Sequence, residues 1–159
     1  MQRCAAVLAA MLLCASVDAL GAESAAPAGS AAARPSLDHS GHKRVGKASF
    51  YARRFFGRRM ADGTPMRPDA DNAASKTLPL GTKARVTNLE TGQSAVVTIQ
   101  DRGPYVKGRI VDLSPATAEQ IGLSREEGVT RVEVAPIAVP QPDGSTKPGA
   151  AALEARPAF

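Results

Sequence analysis

The sequence predicts a mainly β fold: a compact barrel of short strands with one or two small helices. Three observations carry this. Through the central part of the chain, apolar residues recur with a period of two rather than 3.6. Turn-forming Gly and Pro, 14 and 12 of 159 residues, cut that pattern into short segments. Charged residues make up only 22% and aromatics 4%, with no Trp, which argues against a coiled coil or a multi-pass membrane protein.

The chain divides by composition. Residues 1–22 read as an export signal: Arg3 is followed by an apolar run over 4–17, too short to span a membrane, and then by small residues that suit cleavage after Ala19 or Ala22. Both cysteines, Cys4 and Cys14, fall inside this segment, so the mature chain relies on neither a disulfide nor a thiolate. Leu13 precedes Cys14 where lipidation favours a small residue, which argues against a lipid anchor. Residues 23–44 and 138–159 are rich in Ala, Pro, Ser and Gly and are expected to be a disordered linker and a disordered tail. Between them, 45–137 form the folded domain.

Within the domain each element has a local reason. Residues 46–51 give an early strand. In 82–88, Ala84 and Val86 alternate with Lys83, Arg85 and Thr87, as in a half-buried strand. Gly92 then supplies a hairpin turn, and 94–100 return as a strand nearly continuous in apolar character. Residues 109–113 and 129–134 supply two more. Ser114 caps a short helix, Pro115 suits its first position, 116–121 form its body and Gly122 stops it. Residues 124–127 resemble a capping box opening a second short turn.

The most prominent chemical feature is Asp101, a carboxylate at a strand end followed by Arg102, Gly103 and Pro104. Loop-edge carboxylates held by a rigid strand are where barrels place functional groups, and an Asp before a Gly-Pro turn also caps that turn. Both readings stand at this level. Asp112 precedes the helix and suits a structural pairing with Arg109 or the helix amides. Asp62 reads first as a turn residue. Residues 51–59 interleave four Arg with three aromatics, a pattern suited to a glycan surface or a solvated loop. Nucleic acid is not expected as a partner, because 14 basic and 10 acidic residues in 45–137 leave only +4. His39 and His42 lie in the linker without Cys or carboxylate at metal spacing, so no metal site is expected.

The motifs at residues 46–51, 61–63, 73–82, 86–89, 101–105 and 108–114 resemble the rare lipoprotein A (RlpA) family, in matching order across about 45–137. The resemblance implies a six-stranded double-psi β-barrel in the bacterial envelope, exported to the periplasm. It also implies endolytic lytic transglycosylase activity on peptidoglycan, cleaving the MurNAc–GlcNAc bond to a 1,6-anhydro product and preferring strands without stem peptides. No cofactor is implied. Many members carry a C-terminal SPOR repeat, which 138–159 are too short and Pro-rich to form.

The family's Asp before Arg-Gly-Pro is present as Asp101. Its usual Glu is Thr64 here and its usual His is Ser75, at the family's spacing of 11. Two readings follow. In the first, Asp101 is the catalytic acid and base, Thr64, Ser75, Asp62 and Arg102 line the cleft, and Tyr51, Phe55, Arg58 and Tyr105 hold the glycan. In the second the domain is a non-catalytic, expansin-like glycan-binding module. A monomer with peptidoglycan strands as its partner, and without a stable membrane span, is expected in either case.

Overall fold

The computed structural model describes residues 36–156; the expected export signal and residues 23–35 of the expected linker lie outside the described residues. Seven strands form one sheet. They are β1 (Arg44–Phe50), β2 (Asn72–Ala74), β3 (Lys83–Asn88), β4 (Ser94–Asp101), β5 (Arg109–Leu113), β6 (Val129–Pro140) and β7 (Thr146–Pro148). Two helices, α1 (Pro115–Gln120) and α2 (Ala150–Glu154), and a 3-10 turn at Arg53–Phe55 complete the elements.

The strand order is β1-β5-β2-β4-β3-β6-β7, and a further β1–β6 pairing closes the first six strands into a barrel with β7 added outside β6. The β1–β5 and β2–β4 pairs are parallel and the others antiparallel. Alternation sends one face of each strand inward. Val86, Val97, Ile99, Val111, Leu113 and Val132 are fully buried and form the barrel core. Truncating one of the larger of these, Ile99→Ala, removes several methylenes from a closed interior and costs about 2–5 kcal/mol.

The β3–β4 hairpin closes as its sequence predicts, with Gly92 at φ +73 and its N–H donating to the Asn88 carbonyl at 2.8 Å. In α1, the Ser114 hydroxyl accepts the Thr117 N–H at 3.1 Å and Pro115 occupies the first turn. The 124–127 box also forms, with reciprocal bonds between Ser124 and Glu127, and it closes a turn rather than a helix.

The termini differ from expectation. Residues 36–44, assigned to a disordered linker, and 138–156, assigned to a disordered tail, pack on the barrel. Asp38 N–H donates to the Thr77 carbonyl at 2.7 Å, and His39 Nδ1 lies 2.8 Å from the Pro140 carbonyl. Val139 is fully buried in the continuation of β6. Gly149 donates to the Ile137 carbonyl and Ala150 to the Gly41 carbonyl, each at 2.9 Å. Glu154 bonds Arg85 at 2.7 Å and also pairs with Lys43. The reason lies in the small residues themselves. A Cβ built on Gly149 falls 2.3 Å from the Pro136 carbonyl oxygen, so the two backbones pack directly where no larger side chain fits. Composition that resembles a linker is here the requirement for close backbone contact.

Candidate active site

Two parallel pairings and one antiparallel pairing bring four strands into one row. Ala74 is the register partner of Asp101 on β4 and of Asp112 on β5, and Asp112 in turn pairs with Ser49 on β1. Over this row lies a groove of about 540 Å³ whose wall includes Asp101, Asp112, Ala74, Arg54 and Tyr105. Ala74, 2% exposed, is a small floor between the two carboxylates.

Asp101 is held from three sides. Its Oδ1 accepts the backbone N–H of Ala61 at 3.0 Å and of Arg102 at 2.8 Å, and its Oδ2 accepts the Tyr51 hydroxyl at 3.1 Å. The Arg102 guanidinium turns away and donates to the carbonyls of Ser75 at 3.1 Å and Leu78 at 2.6 Å. Arg102 therefore staples the 75–78 turn and forms no ion pair with its neighbour among the described residues. Tyr51, expected to touch glycan, lines the groove, is only 7% exposed and donates to Asp101. Burial, followed by the negative charge of Asp101, pushes its phenol far above the ordinary range, so it remains a donor. Its ring meets Phe55 edge-on at 6.0 Å, and Arg54 lies over Phe55 at 4.8 Å.

Asp112 forms the expected pair with Arg109, Nη2 to Oδ1 at 2.6 Å, and the Ser49 hydroxyl donates to the same Oδ1. No hydrogen-bond donor among the described residues reaches its Oδ2. Sequence reasoning treated Asp112 and Arg109 as secondary and did not single out Ser49 or Arg54 individually. The structure puts all four in the groove wall. Ser49 comes to Asp112 only through the β1–β5 crossing, for which no local pattern gives a signal.

Of the other expected residues, Arg102, Phe55 and Tyr105 line the groove and the rest do not. Ser75 is 2% exposed, and its hydroxyl accepts the Leu78 N–H at 3.2 Å. Thr64 is exposed and donates to Asp62 Oδ1 at 2.6 Å, while Gln100 donates to Asp62 Oδ2 at 2.8 Å. Burial opposes ionisation of Asp62, but these bonds and the Thr64 N–H outweigh it and lower its carboxyl below the usual range. Neither Thr64 nor Ser75 lines the groove, and neither does Asp62 or Arg58. Phe55 does, half-buried, and so does Tyr105, which is 75% exposed.

A domain model described as lytic transglycolase matches residues 43–134. A protein of Pasteurella multocida (strain Pm70), named endolytic peptidoglycan transglycosylase RlpA, is 48% identical over 100 residues, 62% of this chain and 34% of its own. A protein of Synechocystis sp. (strain ATCC 27184 / PCC 6803 / Kazusa), named probable endolytic peptidoglycan transglycosylase RlpA, is 51% identical over 78 residues, 49% of this chain and 24% of its own. The counterpart in Pseudomonas aeruginosa (strain UCBPP-PA14) is 42% identical over 100 residues, covering 63% and 29%. The aligned part thus spans 34% or less of the length of these three relatives.

Proposed function

The chain belongs to the RlpA family of lytic transglycolases, and from that premise we propose that it cleaves the glycan strands of peptidoglycan by lytic transglycosylation, with Asp101 as the acting carboxylate. The observation that carries this reading is the placement of Asp101. It stands at the groove wall at the end of a rigid strand, aimed by one hydroxyl and two amides, with the neighbouring guanidinium directed elsewhere.

The chemistry asks for little more. Hydrolysis of a glycoside ordinarily needs two carboxylates, one of them to activate water or attack the sugar. A lytic transglycosylase uses the sugar's own C6 hydroxyl instead. Asp101 gives its proton to the departing oxygen, and the same carboxylate then takes the proton of the C6 hydroxyl as that oxygen closes the 1,6-anhydro ring. The exposed ring of Tyr105 and the Arg54–Phe55 pair supply stacking and donor surface for the flanking sugars. Stem-free strands are the proposed preferred substrate and the periplasm the proposed site of action, reached by way of residues 1–22.

A second reading, a binding module without catalysis, draws support from Thr64 and Ser75. Neither side chain titrates usefully, and both hydroxyls are engaged in turns rather than facing the groove. One experiment separates the two. Purified protein is incubated with stem-free and intact glycan strands, and the products are examined by mass spectrometry for 1,6-anhydro ends. Products that vanish in Asp101→Asn support the enzyme. Retained strand binding with no anhydro ends from either protein refutes it and leaves the binding module.

A further inference from the structure

The second carboxylate of the groove has no role in the scheme above, yet it is placed for one. We propose that Asp112 is a substrate-contacting residue that accepts the N–H of the 2-acetamido group on the sugar whose glycosidic bond breaks, which rests on the lytic transglycosylase reading of Asp101.

Three observations lead there. Asp101 and Asp112 share Ala74 as register partner, so their Cα atoms are two strand spacings apart, about 9.5 Å. A spacing of that order between two carboxylates over the small Ala74 floor is comparable to the roughly 6.5–9.5 Å that leaves room for a small group between two carboxyls. Next, the two oxygens of Asp112 are used unequally. Ser49 and Arg109 both donate to Oδ1, which fixes that edge, while Oδ2 has no donor among the described residues. Asp101, by contrast, has donors on both oxygens. Finally, Asp112 lines the same groove as Asp101. A fixed carboxylate with one open acceptor edge, across a sugar-sized gap from the acid, suits an amide N–H.

The chemistry closes without a proton on Asp112. Asp101 protonates the leaving oxygen as the C1–O4 bond breaks, while the acetamido carbonyl oxygen, turned toward C1 by the N–H bond to Asp112, forms a bond to C1. The C6 hydroxyl then returns its proton to Asp101 as O6 attacks C1 and expels the carbonyl oxygen. The negative charge of Asp112 offsets the positive charge the acetamido group carries between those steps.

The test compares the unsubstituted protein with Asp112→Asn on stem-free strands that retain their N-acetyl groups and on the same strands chemically de-N-acetylated. Release of anhydro ends gives the rate, and calorimetry gives the affinity for both strands independently of turnover. On acetylated strands the variant should be slower by about 10- to 100-fold, the effect of losing a bond to a charged group. On de-N-acetylated strands, which have no carbonyl oxygen to turn toward C1, any residual rate at saturation should be the same for the two proteins, while the exposed ammonium groups should favour binding to the carboxylate over the asparagine. Should Asp112→Asn not fold, Ser49→Ala, which loosens the carboxylate without removing it, should show a smaller loss with the same dependence on the acetyl group. An equal loss on both strands, or none on acetylated strands while Asp101→Asn is inactive, overturns this proposal alone. Absence of anhydro ends from the unsubstituted protein overturns it together with the role of Asp101.

Discussion

Replacing Tyr51 by Phe removes one oxygen atom and one hydrogen bond, the 3.1 Å contact to Asp101 Oδ2, and leaves the ring in place against Phe55. A hydrogen bond to a charged group contributes about 1.5–3 kcal/mol. Water in the groove can replace the lost donor on Oδ2, so the lower end applies. Oδ1 keeps both amide donors, so the carboxylate stays in place but turns more freely about that edge. The expected outcome is a loss of about 1.5 kcal/mol in folding stability, seen as a few degrees in Tm, and roughly a tenfold lower rate of anhydro-end release. Because the phenol is pushed far above its ordinary range, Tyr51 keeps its proton through pH 9, and its own ionisation adds no change to the ratio of the two rates between about pH 5 and 9. In an Asp101→Asn background the substitution should cost no further activity, since Tyr51 reaches substrate only through Asp101. An unchanged rate in the single variant, or an additional loss in the double variant, would refute the positioning argument.

Three further outcomes follow from the same geometry. Gly149→Ala should destabilise the fold by more than the ordinary surface substitution, about 1–3 kcal/mol by denaturant unfolding, because its Cβ would meet the Pro136 carbonyl backbone; an unchanged midpoint would mean that 138–156 do not pack on the barrel. Arg102→Gln should release the carbonyls of Ser75 and Leu78 and lower both Tm and activity, with limited proteolysis cutting first in 75–78. Asp62 has a lowered carboxyl in the folded state, so the stability it contributes is present above its unfolded value of 3.8 and is lost as pH falls through the folded one. Asp62→Asn should therefore unfold more readily than wild type at neutral pH, with the difference shrinking as acid titrates the turn, and a difference that grew in acid would reverse the assignment.

The parts of the fold that could be read from sequence are those whose signals are local. Alternation of Ala84 and Val86 with Lys83, Arg85 and Thr87, the apolar run of 94–100, the Gly92 turn and the Ser114-Pro115 cap each act within a few residues, and the β3–β4 hairpin and α1 form accordingly. β2 could not be read in the same way. Asn72, Ala73 and Ala74 have no strand preference of their own and become a strand because β4 and β5 flank them on both sides. The terminal segments were misread for a related reason: their order comes from backbone contacts at Gly41 and Gly149 and from Glu154 pairs with Lys43 and Arg85, none of which needs a large apolar side chain. At the site, Asp101 was visible because a carboxylate before Gly103 and Pro104 at a strand end stands out. Ser49 was not, since it meets Asp112 across a parallel pair 63 residues apart in the chain.

The same distinction bears on what Thr64 and Ser75 mean for Asp101. Both positions do reach it, but through the main chain. The 60–64 turn presents the Ala61 N–H to Asp101 Oδ1, and the Ser75 N–H donates to the Asp101 carbonyl at 3.1 Å. The three donors that aim the carboxylate come from Ala61, Arg102 and Tyr51, none from the side chain of residue 64 or 75. What those two side chains contribute is closure of their own turns, Thr64 on Asp62 and Ser75 on Leu78. Replacing a titratable residue at either position by a hydroxyl thus leaves the anchoring of Asp101 intact. A chemistry that uses one carboxylate and the substrate's own hydroxyl depends on that anchoring first.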